Sequence, residues 1–403
     1  MSLARFMIPL CAVVAVAAAP PQAQAGPAVT KEERAALIPV QQAVTAKDWA
    51  AAQAALTAAL PVAKSPGALY AVGRFRLEIG LAINNPAMQL QGLDGVIASG
   101  QVPAADLAVV YRNQGVLAKA AGDKAKAEAA FAKVAELSPN DPEALIHLAQ
   151  AKMDSGKPKE TVTLISRAID MKRAAGQAAD ESWYKYALKL AYDGRSDPVM
   201  RLATRKLSGE LVMAYPTKEN WRDSLLIFRD TSVLDPGAQL DLLRFMRASG
   251  ALAGERDWYD LASGLSQAGY VGEAKAVVDD GIAKKMIDPN KAAFAELLRL
   301  ISGRIAGDRE SLAGEEAKAK AAADGTLALK IGDAWYGYGE NERAMALYRA
   351  ALGKGGVDAN LVNLHLAMAM VAAGDRAGAE TIFKSLTGVR GDLGAYWVQW
   401  LHR

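Results

Sequence analysis

Residues 111–139 read YRNQGVLAKAAGDKAKAEAAFAKVAELSP, two helical patterns around a Gly-Asp turn at 122–123. The residues at helical spacing are Tyr111, Gly115, Ala118, Ala127, Phe131 and Val134, followed by the closing Pro139. Gly115 and Ala127 allow two antiparallel helices to approach closely, and Phe131 fills the space beside them. Because one such pair cannot bury its apolar face alone, we expect its neighbours in the chain to repeat the pattern.

The pattern resembles the tetratricopeptide (TPR) repeat, a helix–turn–helix unit of about 34 residues. Turn glycines return at this period: 34 residues separate Gly122 from Gly156, and 35 separate Gly339 from Gly374. The other turn glycines are Gly194, Gly269 and Gly307. The resemblance implies an all-α fold, a right-handed α-solenoid of about ten TPR-like pairs over residues 31–388. The weakest of these pairs is residues 289–323, with its turn predicted at Gly307-Asp308.

The two ends of the chain differ from this array. Residues 1–25 have the parts of a secretory signal peptide: Arg5, an apolar run over Phe6–Ala19, and an Ala-Gln-Ala cleavage site at 23–25. A membrane anchor is the alternative, but this run is too short to span a bilayer. We therefore predict cleavage, a leader at 26–30, a periplasmic or secreted protein, and no transmembrane span in the mature chain.

Residues 389–403 are predicted to form a C-terminal cap. Their Trp397 and Trp400 either cover the apolar face of the last repeat or form an exposed docking tail, and we favour the cap.

Composition limits the kinds of partner and chemistry. The chain has 403 residues, is 51% hydrophobic and carries a formal charge of +3. A basic stripe typical of nucleic-acid binding is absent from the sequence, so we predict no nucleic-acid partner. The single cysteine, Cys11, lies in the predicted signal peptide. The mature chain would then have no disulfide, thiol nucleophile or cysteine metal site.

No catalytic constellation is apparent. Ser182 and Lys185 match an S-x-x-K pattern, but the motifs that accompany it in penicillin-binding enzymes are missing. The histidines His147, His365 and His402 are far apart in sequence, which favours surface or groove positions over a metal site. We therefore predict that the protein is not an enzyme, with no catalytic residues, no cofactor and no metal.

The TPR resemblance implies that the first helix of each pair lines a concave groove. Carried over by register, the expected partner-binding residues are Arg112, Lys119, Gln150, Tyr184, Arg222, Arg229, Tyr259 and Tyr336. Trp183, Trp258 and Trp335 are expected in the core. The carboxylate clamp that some TPR proteins use is not supported, because Glu143 and His147 occupy its positions.

Charge varies along the array, from +5 over residues 157–206 to −5 over residues 230–316. This uneven charge indicates either a surface that attracts a partner of mixed charge or an ordinary solvated surface. The sequence thus predicts a non-enzymatic TPR scaffold or adaptor of the bacterial cell envelope, within an envelope complex, that binds a protein or peptide in its groove. The alternative is a periplasmic accessory protein in polysaccharide export or cell-wall assembly.

Overall fold

A computed structural model describes residues 29–402, and the predicted signal peptide at 1–25 lies outside them. The described part of the chain contains twenty α-helices and no β-strand, as the TPR-like pattern predicts. It divides into two compact units, one ending at Gly156 and the other beginning at Lys157. None of the described helices is both long enough and apolar enough to cross a bilayer.

The described part of the first unit, from residue 29, contains seven helices. They are α1 (Lys31–Thr45), α2 (Trp49–Ala59), α3 (Pro66–Ala82), α4 (Pro86–Ala98), α5 (Leu107–Ala120), α6 (Lys124–Leu137) and α7 (Pro142–Asp154). Three antiparallel pairs, α1/α2, α3/α4 and α5/α6, are followed by α7, which packs on α6.

The second unit contains thirteen described helices. They are α8 (Pro158–Ala174), α9 (Glu181–Asp193), α10 (Pro198–Ala214), α11 (Lys218–Thr231), α12 (Pro236–Ser249), α13 (Glu255–Ala268), α14 (Val271–Ala283), α15 (Ala292–Ala321), α16 (Thr326–Gly337), α17 (Asn341–Lys354), α18 (Ala359–Ala372), α19 (Arg376–Ser385) and α20 (Gly388–Leu401). Consecutive helices pack on each other along most of the unit.

Helix starts follow from local sequence. Helix α3 begins at Pro66, and the side chain of Ser65 accepts a hydrogen bond from the Ala68 N–H. The same cap-then-proline arrangement, with asparagine or aspartate as the cap, starts α4, α7, α10 and α12. A polar cap satisfies an otherwise free N–H, and proline at the first helical position has none to satisfy. The chain therefore specifies the beginning of each of these helices locally.

One buried carboxylate, Glu33, joins α1 to the turn before α3. It accepts hydrogen bonds from the N–H groups of Lys64 (2.7 Å) and Ser65 (2.6 Å) and from the Ser65 hydroxyl (2.7 Å). It also completes a capping box with Thr30. These bonds, led by the one from the Ser65 hydroxyl, lower the pKa of Glu33 to about 2.

The small residues predicted at helix contacts are buried there. A Cβ atom added to Gly115 would lie 2.8 Å from the Phe131 ring, and one added to Gly332 would lie 2.7 Å from the Tyr348 ring. Ala127 and Ala344 are also buried. Each aromatic ring therefore packs directly on the backbone of the partner helix, which confirms the predicted close approach.

Most predicted turn glycines lie in the left-handed region, which suits a tight turn between helices. These are Gly122, Gly156, Gly269, Gly339 and Gly374. Gly194 ends α9 with a φ of −92° instead.

The turn predicted at Gly307-Asp308 is wrong. Both residues lie inside α15, which runs without a break for 30 residues. The Tyr338 hydroxyl donates to the Asp308 carboxylate (2.8 Å), which ties this stretch of α15 to the end of α16. The region predicted as a helical pair at 289–323 is therefore a single long helix.

Two helices of the second unit each contain a segment that is buried all round. Residues 241–246 of α12 and 364–370 of α18 are buried without interruption. A helix buried all round lies in the middle of its unit rather than at its surface. Helix α20 packs on both of them and on α19.

The aromatic residues of α20 face inward. Trp397 is buried, stacks on Phe383 of α19 (5.3 Å between ring centroids) and contacts Phe245 of α12 (4.7 Å). The Tyr396 hydroxyl lies 3.0 Å from the Ser224 hydroxyl of α11. The end of the chain therefore covers the apolar faces of α11, α12 and α19.

Candidate functional site

The predicted site residues of the first unit lie on α5 and α7. Arg112 is half-buried, and its guanidinium lies 3.6 Å from the carboxylate of Asp141, the residue that caps α7. Lys119 is exposed, and its ammonium lies 2.9 Å from the carboxylate of Asp154, the last residue of α7. Two ion pairs therefore join α5 to the two ends of α7. Gln150 is exposed on α7 between them.

His147 lies on α7 between these ion pairs. It is half-buried, and its ring stacks on Phe131 with 5.5 Å between centroids and 19° between planes. Burial, and then the positive charge of Arg112, lower the pKa of His147. The imidazole is therefore neutral at pH 7. The α5–α7 face, defined by Arg112, Lys119, His147 and Gln150, combines two charged groups with a neutral ring and an amide.

Tyr184 is not available to a partner, contrary to the prediction. It is 4% exposed, and its ring packs edge-on against Tyr215 (6.2 Å between centroids). The neighbouring Trp183, predicted to be core, is half-buried instead and lies under the Lys172 ammonium. The buried position at the start of α9 is therefore Tyr184, one residue later in the chain than the predicted Trp183. Trp258 and Trp335 are buried, as predicted.

The other predicted residues of the second unit are half-buried and engaged within the unit. Arg222 pairs with Asp257 (2.6 Å) and Arg229 lies 3.5 Å from Asp230. Tyr259 packs edge-on against Phe294 (5.4 Å). Burial, and then the nearby Glu273 carboxylate, raise the pKa of Tyr336 to about 12. A partner would have to compete with these contacts to reach these side chains.

Sequence reasoning missed a buried ionic cluster in the second unit. The Arg244 guanidinium of α12 binds the Glu273 carboxylate of α14 through two nitrogens (2.9 and 2.7 Å). A third nitrogen donates to Asp241 on its own helix (3.0 Å). Fork-like pairing of this kind fixes both direction and distance, so Arg244 sets the position of α14 relative to α12.

His365 of α18 lies between two carboxylates. Its Nδ1 is 2.6 Å from Asp333 of α16, and its Nε2 is 2.9 Å from Asp241 of α12. Burial disfavours the charged ring, but the two carboxylates outweigh burial and raise the pKa of His365 to about 9. The prediction that His365 occupies a surface or groove position is therefore wrong, because the residue is buried and protonated at neutral pH.

The cluster contains charges of both signs. Its anions are Asp241, Glu273 and Asp333, and its cations are Arg244, His365 and Arg390. Tyr270 and Tyr348 each donate a hydroxyl hydrogen bond to Asp333 (2.8 Å). Buried ion pairs add little net stability, whereas leaving one charge without its partner is costly. The cluster therefore favours one arrangement of α12, α14, α16, α18 and α20.

The sequence contained only a weak signal for this ionic cluster. Asp241 and Arg244 lie among apolar residues on α12, which indicates buried charge. Nothing in the pattern predicts partners such as His365, which is 124 residues further along the chain. In the described residues, no group of histidine and acidic side chains has the arrangement that a metal ion requires.

The two residues of the S-x-x-K pattern, Ser182 and Lys185, lie on α9, where Lys185 pairs with Glu181 (2.9 Å).

The structure has three features that are typical of a TPR array. They are repeated helix pairs, aromatic side chains packed against small residues, and turn glycines in the left-handed region. Residues 29–402 form an all-α array of TPR-like helix pairs. No protein-family model matches the chain, and no curated protein sequence matches it.

Solved structures similar to the chain include TPR proteins. PilW, a widely conserved type IV pilus biogenesis factor, is 19% identical over 48% of this chain and 83% of its own, with a TM-score of 0.27. A TPR protein from Parabacteroides merdae is 12% identical over 85% of this chain and 100% of its own, with a TM-score of 0.27. PilF of Pseudomonas aeruginosa is 14% identical over 67% of this chain and 97% of its own, with a TM-score of 0.26. The helix pairs themselves, rather than these matches, establish the fold.

Proposed function

We propose that the protein is a non-enzymatic scaffold of the bacterial cell envelope that binds a protein or peptide partner through its α5–α7 face. The observation that carries the proposal is the contrast in accessibility between the two units. Lys119 and Gln150 are exposed on α5 and α7. The corresponding residues of the second unit are less exposed: Tyr184 is buried, and Arg222, Arg229, Tyr259 and Tyr336 are half-buried.

The chemistry of the α5–α7 face favours a peptide. Arg112 and Lys119 can bind carboxylates, Asp141 and Asp154 can bind basic side chains, and Gln150 can bond to a peptide backbone. Such a surface holds an extended segment of mixed charge at several points along its length. A polysaccharide site would instead need exposed aromatic rings, whereas Tyr184 is buried and Tyr259 is half-buried and packs edge-on against Phe294. The protein partner is therefore preferred to the alternative in polysaccharide export.

The envelope location rests on the predicted signal peptide. Mass spectrometry of protein purified from its native source should find Gly26 as the first residue. Cytoplasmic protein that retains Met1 would contradict export.

Binding is tested by capture from envelope extract with crosslinking, followed by titration of the captured partner. Lys119→Ala and Gln150→Ala should each weaken binding by at least about tenfold if they are contact residues near the centre of the interface. Lys133→Ala is the matched control, because Lys133 is an exposed lysine on α6 that also makes a surface ion pair, with Glu136 (2.6 Å). If all three variants bind like the parent protein, the assignment of the α5–α7 face is wrong.

A further inference from the structure

A groove of about 370 Å³ separates α8 from α10 in the second unit. Its walls include Val162 of α8 and Val199, Met200 and Ala203 of α10. Val162 and Met200 are buried, whereas Val199 is 65% exposed. The groove therefore has an apolar floor and an apolar lip, and its volume falls within the range of ligand-binding clefts.

The apolar lip is not explained by packing within the unit. Val199 and Leu202 follow each other at helical spacing on α10 and are 65% and 66% exposed. Two exposed aliphatic side chains about one helical turn apart, of which Val199 lines the groove, leave apolar surface in water that a partner could bury. Burial of such surface on association is favourable.

The rim of the groove is mostly basic. Its charged residues are Lys159, Arg167 and Lys206 against the single acid Asp170. Lys206 pairs with Asp170 (2.9 Å), and Lys159 pairs with Asp197 outside the groove lining. Arg167 is exposed and has no ion pair among the described residues. The surrounding segment, residues 157–206, carries eleven basic and six acidic residues.

We propose that the groove between α8 and α10 binds a helical segment of a partner protein that carries an aliphatic anchor flanked by carboxylates. The anchor would contact Val162 and Val199, and the carboxylates would face Arg167 and Lys206. Complementary charge favours an acidic over a basic segment and makes binding weaken with salt. This surface lies on α8 and α10 of the second unit, so the proposal goes beyond the α5–α7 face of the first unit and does not depend on it.

The test uses the full-length mature chain and two labelled synthetic helical peptides. Both peptides have the same leucine face, which is flanked by glutamates in one and by lysines in the other. Fluorescence anisotropy should give an affinity at least about tenfold tighter for the glutamate peptide at low salt. Val199→Glu and Arg167→Glu should each weaken its binding by at least about tenfold.

Met213→Glu is the matched control, because Met213 is on the same helix, is also 65% exposed and lies outside the groove lining. It should change the affinity by less than about twofold, and all three variants should keep the parent's circular dichroism spectrum. Equal affinity for the two peptides, no measurable binding of either, or equal losses in Val199→Glu and Met213→Glu would overturn the proposal. So would binding to anionic phosphatidylglycerol vesicles that Val199→Glu abolishes, because the surface would then be a membrane contact.

Discussion

Protonated His365 balances the charge of Asp241 and Asp333 inside the second unit. Its pKa rises from about 6.5 in the unfolded chain to about 9 in the folded protein. The stability it contributes is therefore fully present below about pH 6.5 and is lost as the pH rises through about 9. We expect the free energy of unfolding to fall by an amount on the order of 3 kcal/mol across this window.

Urea denaturation between pH 6 and pH 9.5 measures this dependence. His365→Gln should be less stable than the parent at pH 6 and should lose most of the change with pH. His402→Gln is the control, because His402 is exposed near the end of the chain, and it should keep the parent's profile. Parallel profiles for the parent and His365→Gln would show that His365 is not the group that titrates.

At the residue scale, the sequence predicted contacts within a repeat much better than contacts between repeats. Gly115 and Phe131 belong to one helix pair, and their spacing fixes their contact. His365 and Asp241 meet because α18 and α12 come together in the interior of the unit, and no local pattern encodes that encounter. Tyr184 is buried and the adjacent Trp183 is half-buried, the reverse of the predicted order, because helix register decides which of two neighbouring aromatic residues points inward.

At the scale of elements, α15 shows how a glycine can suggest a turn that does not form. Gly307 lies within a regular helix, and a Cβ atom added there would meet open space. Glycine in a helix interior costs up to about 1 kcal/mol relative to alanine, which a 30-residue helix anchored at both ends tolerates. Its anchors include buried Phe294, Leu297 and Leu312.

Gly307→Ala should therefore stabilise the protein by about 0.5–1 kcal/mol. Gly339→Ala should destabilise it by about 1–2 kcal/mol, because Gly339 has a φ of +78° in the turn before α17. Thermal unfolding followed by circular dichroism compares the two variants directly. A destabilised Gly307→Ala would indicate a break in α15.

Helix type and most turns could be predicted because caps, prolines and turn glycines act locally. The starts of α3, α4 and α7, for example, follow from the capping residue and the proline at those positions. The single long helix α15 was not predicted, because Gly307 follows the period of the turn glycines. No local pattern encodes the contact between Asp308 and Tyr338, which are 30 residues apart.

At the scale of the whole molecule, the two units use the same kind of helix pair differently. In the first unit, Lys119 of α5 and Gln150 of α7 are exposed. In the second, α12 and α18 each contain a segment that is buried all round, α20 covers apolar faces of its neighbours, and an ionic cluster holds five helices together. The ionic cluster and the packing of α20 therefore fix these helices of the second unit, and the proposed α5–α7 face lies in the first unit.

Hydrogen exchange with and without the captured partner tests this division most directly. The partner should slow exchange in residues 107–120 and 142–154, which cover α5 and α7. Exchange in residues 218–231, 255–268 and 326–337, which cover α11, α13 and α16, should stay unchanged. Protection confined to those three helices, with none in α5 or α7, would contradict the account.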